Sequence, residues 1–263
     1  RAVIEVRDLS DEGIDLWLVD LETGLRTRFT FARGDEMRPC WSRDGARVFY
    51  QSQEDGVHRI FEQPVEGQGG AAMLLESPHA MAPTSTSPDD RYLLVDHERE
   101  DGNLEIRRLS LAAGDDEFVV AASRDDANLA GGRYSPDGRW ITYHTESAAG
   151  WDIFVVPADG GTRKWQVTTD GGVYPRWTRD GAEIWVNRFN GDLRAYAVDG
   201  QGETFRVGTF RDTVAIAPPS ALGSNYDLHP DGLRILQSGN DPDYRAEISL
   251  LHLVTDWRRA LVQ

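Results

Sequence analysis

Apolar and polar residues alternate in short runs along most of the chain, the period-two pattern of strands with one buried face. Val3-Ile4-Glu5-Val6, Leu16-Trp17-Leu18-Val19-Asp20 and Leu25-Arg26-Thr27-Arg28-Phe29 are the first three, and Glu22-Thr23-Gly24 closes a hairpin between the last two. From residue 38 onward the runs come in fours. Residues 39–41, 48–50, 58–62 and 72–75 form one such set. Residues 130–173 hold the clearest, in which Asp152-Ile153-Phe154-Val155-Val156-Pro157 leads through the turn Asp159-Gly160-Gly161 to Trp165-Gln166-Val167. The tail Asp256-Trp257-Arg258-Arg259-Ala260-Leu261 fits a short helical turn or an outer strand equally well.

Between the first and second run of each set stands a turn signal. Its fullest copy is Tyr134-Ser135-Pro136-Asp137-Gly138, where proline presets the first turn dihedral, aspartate accepts backbone N–H bonds and glycine takes the left-handed position. Trp41-Ser42-Arg43-Asp44-Gly45, Thr86-Ser87-Pro88-Asp89-Asp90, Trp177-Thr178-Arg179-Asp180-Gly181 and Leu228-His229-Pro230-Asp231-Gly232 repeat it. From Asp44 through Asp89, Asp137 and Asp180 to Asp231 the steps are 45, 48, 43 and 51 residues. Asp90 stands where the other copies have glycine, a replacement that aspartate survives because it tolerates positive φ.

A period of that length with four strands per unit predicts an all-β fold. The expectation is a six-bladed β-propeller of four-stranded antiparallel blades, whose closed ring removes the long sheet edges an open array would expose. The blades are expected over residues 1–37, 38–81, 82–129, 130–173, 174–224 and 225–263, a single domain uninterrupted by a Pro/Ser-rich or charge-rich linker. The first unit lacks its innermost strand. One period before Asp44 falls just ahead of Arg1, so the chain is expected to start just after a turn motif.

Composition narrows the partners. Of 263 residues, 28 are Lys or Arg and 44 are Asp or Glu, a formal charge of −16. That balance repels phosphate backbones and anionic membranes, so no nucleic acid is expected. No apolar run approaches the roughly 18 residues that span a bilayer, so no direct membrane insertion is expected either. Cys40, the only cysteine, rules out an internal disulfide framework and reads as a small buried side chain. The eight tryptophans are expected to pack between blades. A monomer is expected.

The Pro-Asp-Gly turns preceded by Trp-Ser or its equivalents, with Ile153-Phe154-Val155-Val156-Pro157-Ala158-Asp159-Gly160-Gly161 downstream, resemble the TolB-like, or PD40 (WD40-like), bacterial β-propellers over nearly the whole chain. Tyr174-Pro175-Arg176-Trp177-Thr178-Arg179-Asp180-Gly181, Thr204-Phe205, Asn225-Tyr226-Asp227-Leu228-His229-Pro230-Asp231-Gly232, Ile248-Ser249-Leu250-Leu251 and Asp256-Trp257 resemble the propellers that end bacterial serine/threonine kinases and winged-helix regulators. The resemblance implies a non-catalytic sensor or scaffold module of a larger bacterial protein, binding a ligand or protein. It would be extracytoplasmic or periplasmic if that parent is anchored or secreted. Ser135-Pro136-Asp137-Gly138 is not the sialidase Asp-box, and Trp151-Asp152 opens a strand, whereas the WD40 dipeptide closes one.

No nucleophile elbow, His-Glu-x-x-His, Walker loop or Gly-x-Gly-x-x-Gly occurs, and the acid pairs Glu54-Asp55 and Asp241-Pro242-Asp243 lack calcium-loop spacing. No catalytic residue, metal ligand or cofactor is assigned, with calcium on acids converging at the axis left open. The six histidines show no ligand spacing, and His229 fills the hydroxyl slot of its turn. The alternative function class is a propeller hydrolase or lactonase with a metal at the channel, or the substrate-gating propeller of a peptidase. When strands alternate direction, the loop leading into a blade's first strand and the loop between its second and third share one face, around the channel mouth. Arg38, Arg133, Tyr174, Arg176, Asn225 and Asp227 fall there and are the candidate ligand-binding residues for a protein, peptide or small molecule. Arg133 and Arg176 hold equivalent places in adjacent repeats. Two guanidiniums so placed suit a carboxylate or acidic peptide terminus, or serve to neutralise neighbouring acids.

Overall fold

A computed structural model describes residues 1–7, 13–67, 69–112, 118–120, 128–147, 150–161, 163–202, 204–216, 226–229, 234–240 and 247–254. Every regular element there is a strand, and every pairing is antiparallel. The first three strands are β1 (Ala2–Arg7), β2 (Ile14–Val19) and β3 (Arg26–Arg28). Four sheets of four strands follow. They are β4 (Asp35–Trp41), β5 (Arg47–Glu54), β6 (Val57–Pro64) and β7 (Ala72–Ser77), then β8 (Met81–Thr86), β9 (Tyr92–Glu98), β10 (Leu104–Ser110) and β11 (Phe118–Val120). Next come β12 (Ala130–Tyr134), β13 (Trp140–Ser147), β14 (Gly150–Pro157) and β15 (Trp165–Gln166), then β16 (Val173–Trp177), β17 (Glu183–Asn187), β18 (Asp192–Asp199) and β19 (Arg206–Ala215).

The chain ends with β20 (Tyr226–Leu228), β21 (Ile235–Asn240) and β22 (Glu247–Val254). These three join the first three in one sheet of order β20-β21-β22-β1-β2-β3, through the pairs Val6 with Ile248 and Arg7 with Glu247. The six repeat units therefore take the form of four separate four-stranded blades and two three-stranded ends that meet. Ring closure, left open by the sequence, is made by that meeting. The tail at 256–261 and the turn residues Pro230, Asp231 and Gly232 lie outside the described residues.

The turns between first and second strands share one construction, and its hub is a hydroxyl. Ser42, Ser87, Ser135 and Thr178 each donate to the aspartate two residues on at 2.6 Å. The same oxygens accept the backbone N–H of Arg47, Tyr92, Trp140 and Glu183 at 2.9–3.0 Å. The residue in the glycine slot takes positive φ, 70° at Gly45, 54° at Asp90, 74° at Gly138 and 70° at Gly181. Its N–H closes the turn onto the carbonyl of the hydroxyl residue. One small polar side chain thus joins the turn to the start of the second strand.

Apolar residues then fuse neighbouring blades. Leu94 and Ile106 meet Ile141, Tyr143 and Val156, and Trp140, Ile153 and Val155 meet Ile184, Tyr196 and Phe205. Cys40, Phe49 and Ile60 meet Met81, Leu93 and Val95, while Trp185 and Leu193 meet Tyr226 and Ile235. Trp165 packs edge-on against Trp140, and Trp140 and Trp177 pack edge-on against Phe205. Each such side chain, buried on both sides, contributes about 1.5–3 kcal/mol of apolar transfer free energy. That is why second strands carry consecutive buried residues, as at Val48–Ser52 and Trp140–Thr145.

Candidate functional site

The inner strands do not run straight to the channel mouth. Pairing with the second strand shifts register between Met37 and Cys40, Pro83 and Ser85, Ala130 and Arg133, and Val173 and Arg176, a β-bulge at one repeat position. At that position Arg38, Gly131 and Tyr174 take φ of 57°, 69° and 53°. A bulge frees a backbone N–H, and the preceding blade supplies its acceptor. Glu5 Oε1 accepts from Arg38 N at 2.7 Å, Asp96 Oδ2 from Gly131 N at 2.8 Å, and His144 Nδ1 from Tyr174 N at 3.4 Å. The bond to Nδ1 places the imidazole proton of neutral His144 on Nε2.

Those three acceptors are one repeat position, since Glu5, Gln51, Asp96, His144 and Asn187 pair across the sheet with Leu16, Ile60, Ile106, Ile153 and Leu193. Gln51 precedes the blade whose bulge residue is Pro83, which has no N–H to offer, and it bonds His58 Nδ1 at 3.1 Å instead. These polar residues were missed in the sequence. Their signal was a polar residue three places into an otherwise apolar second strand, legible only after the repeats are aligned. Burial governs their ionisation. The Asp96 carboxyl is pushed up to about 6, with the Gly131 and Gly132 N–H groups and Arg133 opposing, and its Oδ1 takes no hydrogen bond. Burial, aided by Arg176, pushes His144 down to about 3.

Just past the bulge the inner strands each carry one residue at a common repeat position, and these positions make a ring. Cys40, Ser85, Arg133, Arg176 and Asp227 occupy that place, opposite Phe49, Leu94, Thr142, Trp185 and Leu236. Cys40 is pushed up to about 11 by burial while feeling Arg133, Asp227 and Arg176. A thiol at that value is inert. Arg176 lies under Tyr226 and pairs through Nε with Asp227 Oδ1 at 3.2 Å, and its Nη1 donates to Pro175 O at 3.0 Å. Arg133 donates from Nη1 to Thr84 O, while its Nε has no hydrogen-bond partner. Burial and the neighbouring Arg176 lower its pKa to about 10, which leaves it charged at neutral pH.

Five of the six sequence-derived candidates can be placed, and Asn225 lies outside the described residues. Arg133, Arg176 and Asp227 share the ring, and Arg38 and Tyr174 sit one bulge away, where Arg38 acts electrostatically on both Tyr174 and Asp96. The side chain of Asp227 is 67% exposed against 9% for Arg176, so the ring opens on the Asp227 side. Among the described residues no three of His, Cys, Asp and Glu converge as metal ligands.

No protein-family model matches the chain. Its fold is that of the TolB-like propellers. TolB from Acinetobacter baumannii superposes with a TM-score of 0.76 at 18% identity, covering 98% of this chain and 61% of that one. An oligogalacturonate lyase in complex with manganese gives 0.59 at 17% identity over 94% of this chain and 69% of that one. A chain of the nidogen/laminin complex gives 0.62 at 10% identity, over 90% and 84%. In sequence, an uncharacterized protein of Agrobacterium fabrum is 22% identical over 142 residues, 51% of this chain and 48% of that protein. The chain thus spans about half the length of the curated relative it matches. Binding proteins and enzymes share this architecture, so function has to be argued from the site.

Proposed function

We propose that the chain is a non-catalytic binding propeller, the sensor or scaffold module of a larger bacterial protein acting outside the cytoplasm. It takes a carboxylate-bearing peptide, protein segment or small molecule at the ring end of its channel. One observation carries the reading: two of the five ring side chains are guanidiniums from adjacent blades, and the ring's own carboxylate, Asp227, is exposed, while buried Asp96 acts on Arg133 from the neighbouring position. An incoming carboxylate displaces Asp227 from Arg176 Nε and reaches the unpartnered Nε of Arg133. Both bonds are charge-assisted and formed away from bulk water, where they are strongest. Arg38 and Tyr174 stand at the rim, where they select among the groups that carry the carboxylate.

Fluorescence anisotropy of a labelled tetraglutamate peptide tests this. Arg133→Met and Arg176→Met are each expected to weaken binding about tenfold, and Asp227→Asn to strengthen it by removing the competing carboxylate. Equal affinity for the wild type and the Arg133→Met/Arg176→Met double variant overturns the assignment.

A further inference from the structure

A second recess lies on the opposite face. An open groove of about 810 Å³ runs between the third and fourth blades, beside the hydroxyl-hub turns of Ser87 and Ser135. We infer that this groove binds a neutral oligosaccharide, on the evidence of its lining and its charge balance. The lining includes three aromatic rings, Tyr92, Tyr134 and Trp165, together with Pro88 and Pro157. Trp165 is held by an edge-on contact with the buried Trp140 at 5.3 Å, and Tyr92 by Arg108 stacked at 4.5 Å. Immobilised rings of this kind accept the C–H faces of pyranose rings at little entropic cost.

The walls carry three carboxylates, Asp89, Asp137 and Asp159, and three guanidiniums, Arg108, Arg139 and Arg163. Their formal charges cancel. A basic peptide meets the arginines and an acidic peptide or a phosphate meets the aspartates, so the lining itself gives neither a net Coulombic advantage. Planar two-pronged groups of both signs are matched instead by vicinal hydroxyls, which donate to carboxylates and accept from guanidiniums. The aspartates are already oriented. Asp89 and Asp137 use Oδ1 on their own turns, as Asp159 does on Gly161 N, so Oδ2 takes no part in these bonds. Arg139 is fixed by the carbonyls of Gln201 and Gly202, whereas the exposed Arg163 engages no other group among the described residues. Arg163 is the arm free to close on a ligand.

Quenching of tryptophan fluorescence by maltohexaose, cellohexaose, laminarihexaose and chitohexaose tests the site on the full chain. One of the four is expected to bind in roughly the micromolar to millimolar range. Trp165→Ala is expected to weaken it at least about tenfold. Arg163→Ala, at an exposed position that does not bear on folding, is expected to weaken it about threefold to tenfold. The Arg133→Met/Arg176→Met double variant should bind the sugar as the wild type does, which separates this groove from the channel. The inference is overturned if none of the four binds at about 10 mM, above the range expected. Binding that survives both Trp165→Ala and Arg163→Ala overturns it too, as does a preference for a charged peptide over every sugar.

Discussion

Aspartate does opposite work at the two ends of the inner strands. At the turns, Asp44, Asp89 and Asp180 are held below the ordinary carboxylate range, first by the hydroxyl of Ser42, Ser87 or Thr178 and then by turn N–H groups. At the mouth, Asp96 is pushed up to about 6 because burial outweighs its backbone donors. At the turn end the four described turns share one hydroxyl–aspartate construction. The mouth end differs from blade to blade, with Glu5, Gln51, Asp96, His144 and Asn187 at one position and Cys40, Ser85, Arg133, Arg176 and Asp227 at the next. Uniformity at the turns maintains the ring, and variation is concentrated where a ligand would be met.

Glycine offers the sharpest way to break that comparison. Gly131 at the mouth and Gly138 at the turn have nearly the same φ, 69° and 74°. A Cβ on Gly131 would lie 2.7 Å from His144 Cε1 and 2.8 Å from Nδ1, atoms of a ring already flanked by Trp151 and Tyr174. A Cβ on Gly138 would lie 3.1 Å from Pro88 Cδ at the surface. Both alanines incur the left-handed cost, and only the first adds overpacking of a rigid interior. Gly131→Ala is expected to cost about 3–5 kcal/mol and Gly138→Ala about 1–2 kcal/mol in urea unfolding. Equal losses would mean that the two ends are equally plastic.

Ionisation gives the next largest contrast. Between the ordinary aspartate value of 3.8 and about 6, the folded chain keeps a proton on Asp96 that the unfolded chain has lost. Stability from this group therefore falls as pH rises through that window, and the whole cost is present above it. His144, lowered from 6.5 to about 3, works the other way, since the unfolded chain takes up a proton that the folded chain refuses as pH falls. The two slopes oppose each other over about pH 4 to 6. Asp96→Asn keeps an acceptor for Gly131 N–H and removes one slope. It is expected to raise stability near pH 7 by about 1–3 kcal/mol and to lose it more steeply than the wild type on acidification. Calorimetric melting from pH 4 to 7 checks this, and parallel curves for the two proteins would refute it.

How much of this was legible in the sequence depends on the range of the interaction. The turns were, because Pro136, Asp137 and Gly138 act on their own backbone, and the strands were, because short apolar runs such as Ile153 to Val156 report burial directly. Even so, the hydroxyl of Ser135, present in the motif, was not recognised as its hub, since its second bond runs to Trp140 N across the turn. Arg133 and Arg176 were found by repeat alignment. Asp96 and His144 were not, because their meaning lies in an N–H 35 and 30 residues away in the next blade. The groove beside Trp165 was also illegible: its walls come from two blades, and each residue alone reads as surface.

Asp90 tests the comparison most finely, because it shows how the turn end accommodates an exception. Its Oδ1 accepts from Arg43 N at 2.7 Å and its Oδ2 from Asp44 N at 3.2 Å, capping the turn of the preceding blade. The glycines at the corresponding position face prolines instead, Gly138 against Pro88 and Gly181 against Pro136. Proline has no N–H to cap, so a side chain there would meet crowding without the shorter of the two bonds that Asp90 makes. Aspartate thus stands where the neighbouring turn offers donors. Asp90→Gly relieves about 1 kcal/mol of left-handed cost and gives up two exposed caps of similar total worth, so its net effect is expected within about 0.5 kcal/mol of zero. Asp90→Ala keeps the cost and loses the caps, and should lose about 1–2 kcal/mol. Arg43→Pro should then be costlier in the wild type than in Asp90→Gly by about 0.5–1 kcal/mol, the coupling of the removed N–H to its carboxylate. A double-mutant cycle in urea measures that coupling directly. A value of zero would mean that Asp90 merely tolerates its position and that the turns on this face are independent of one another.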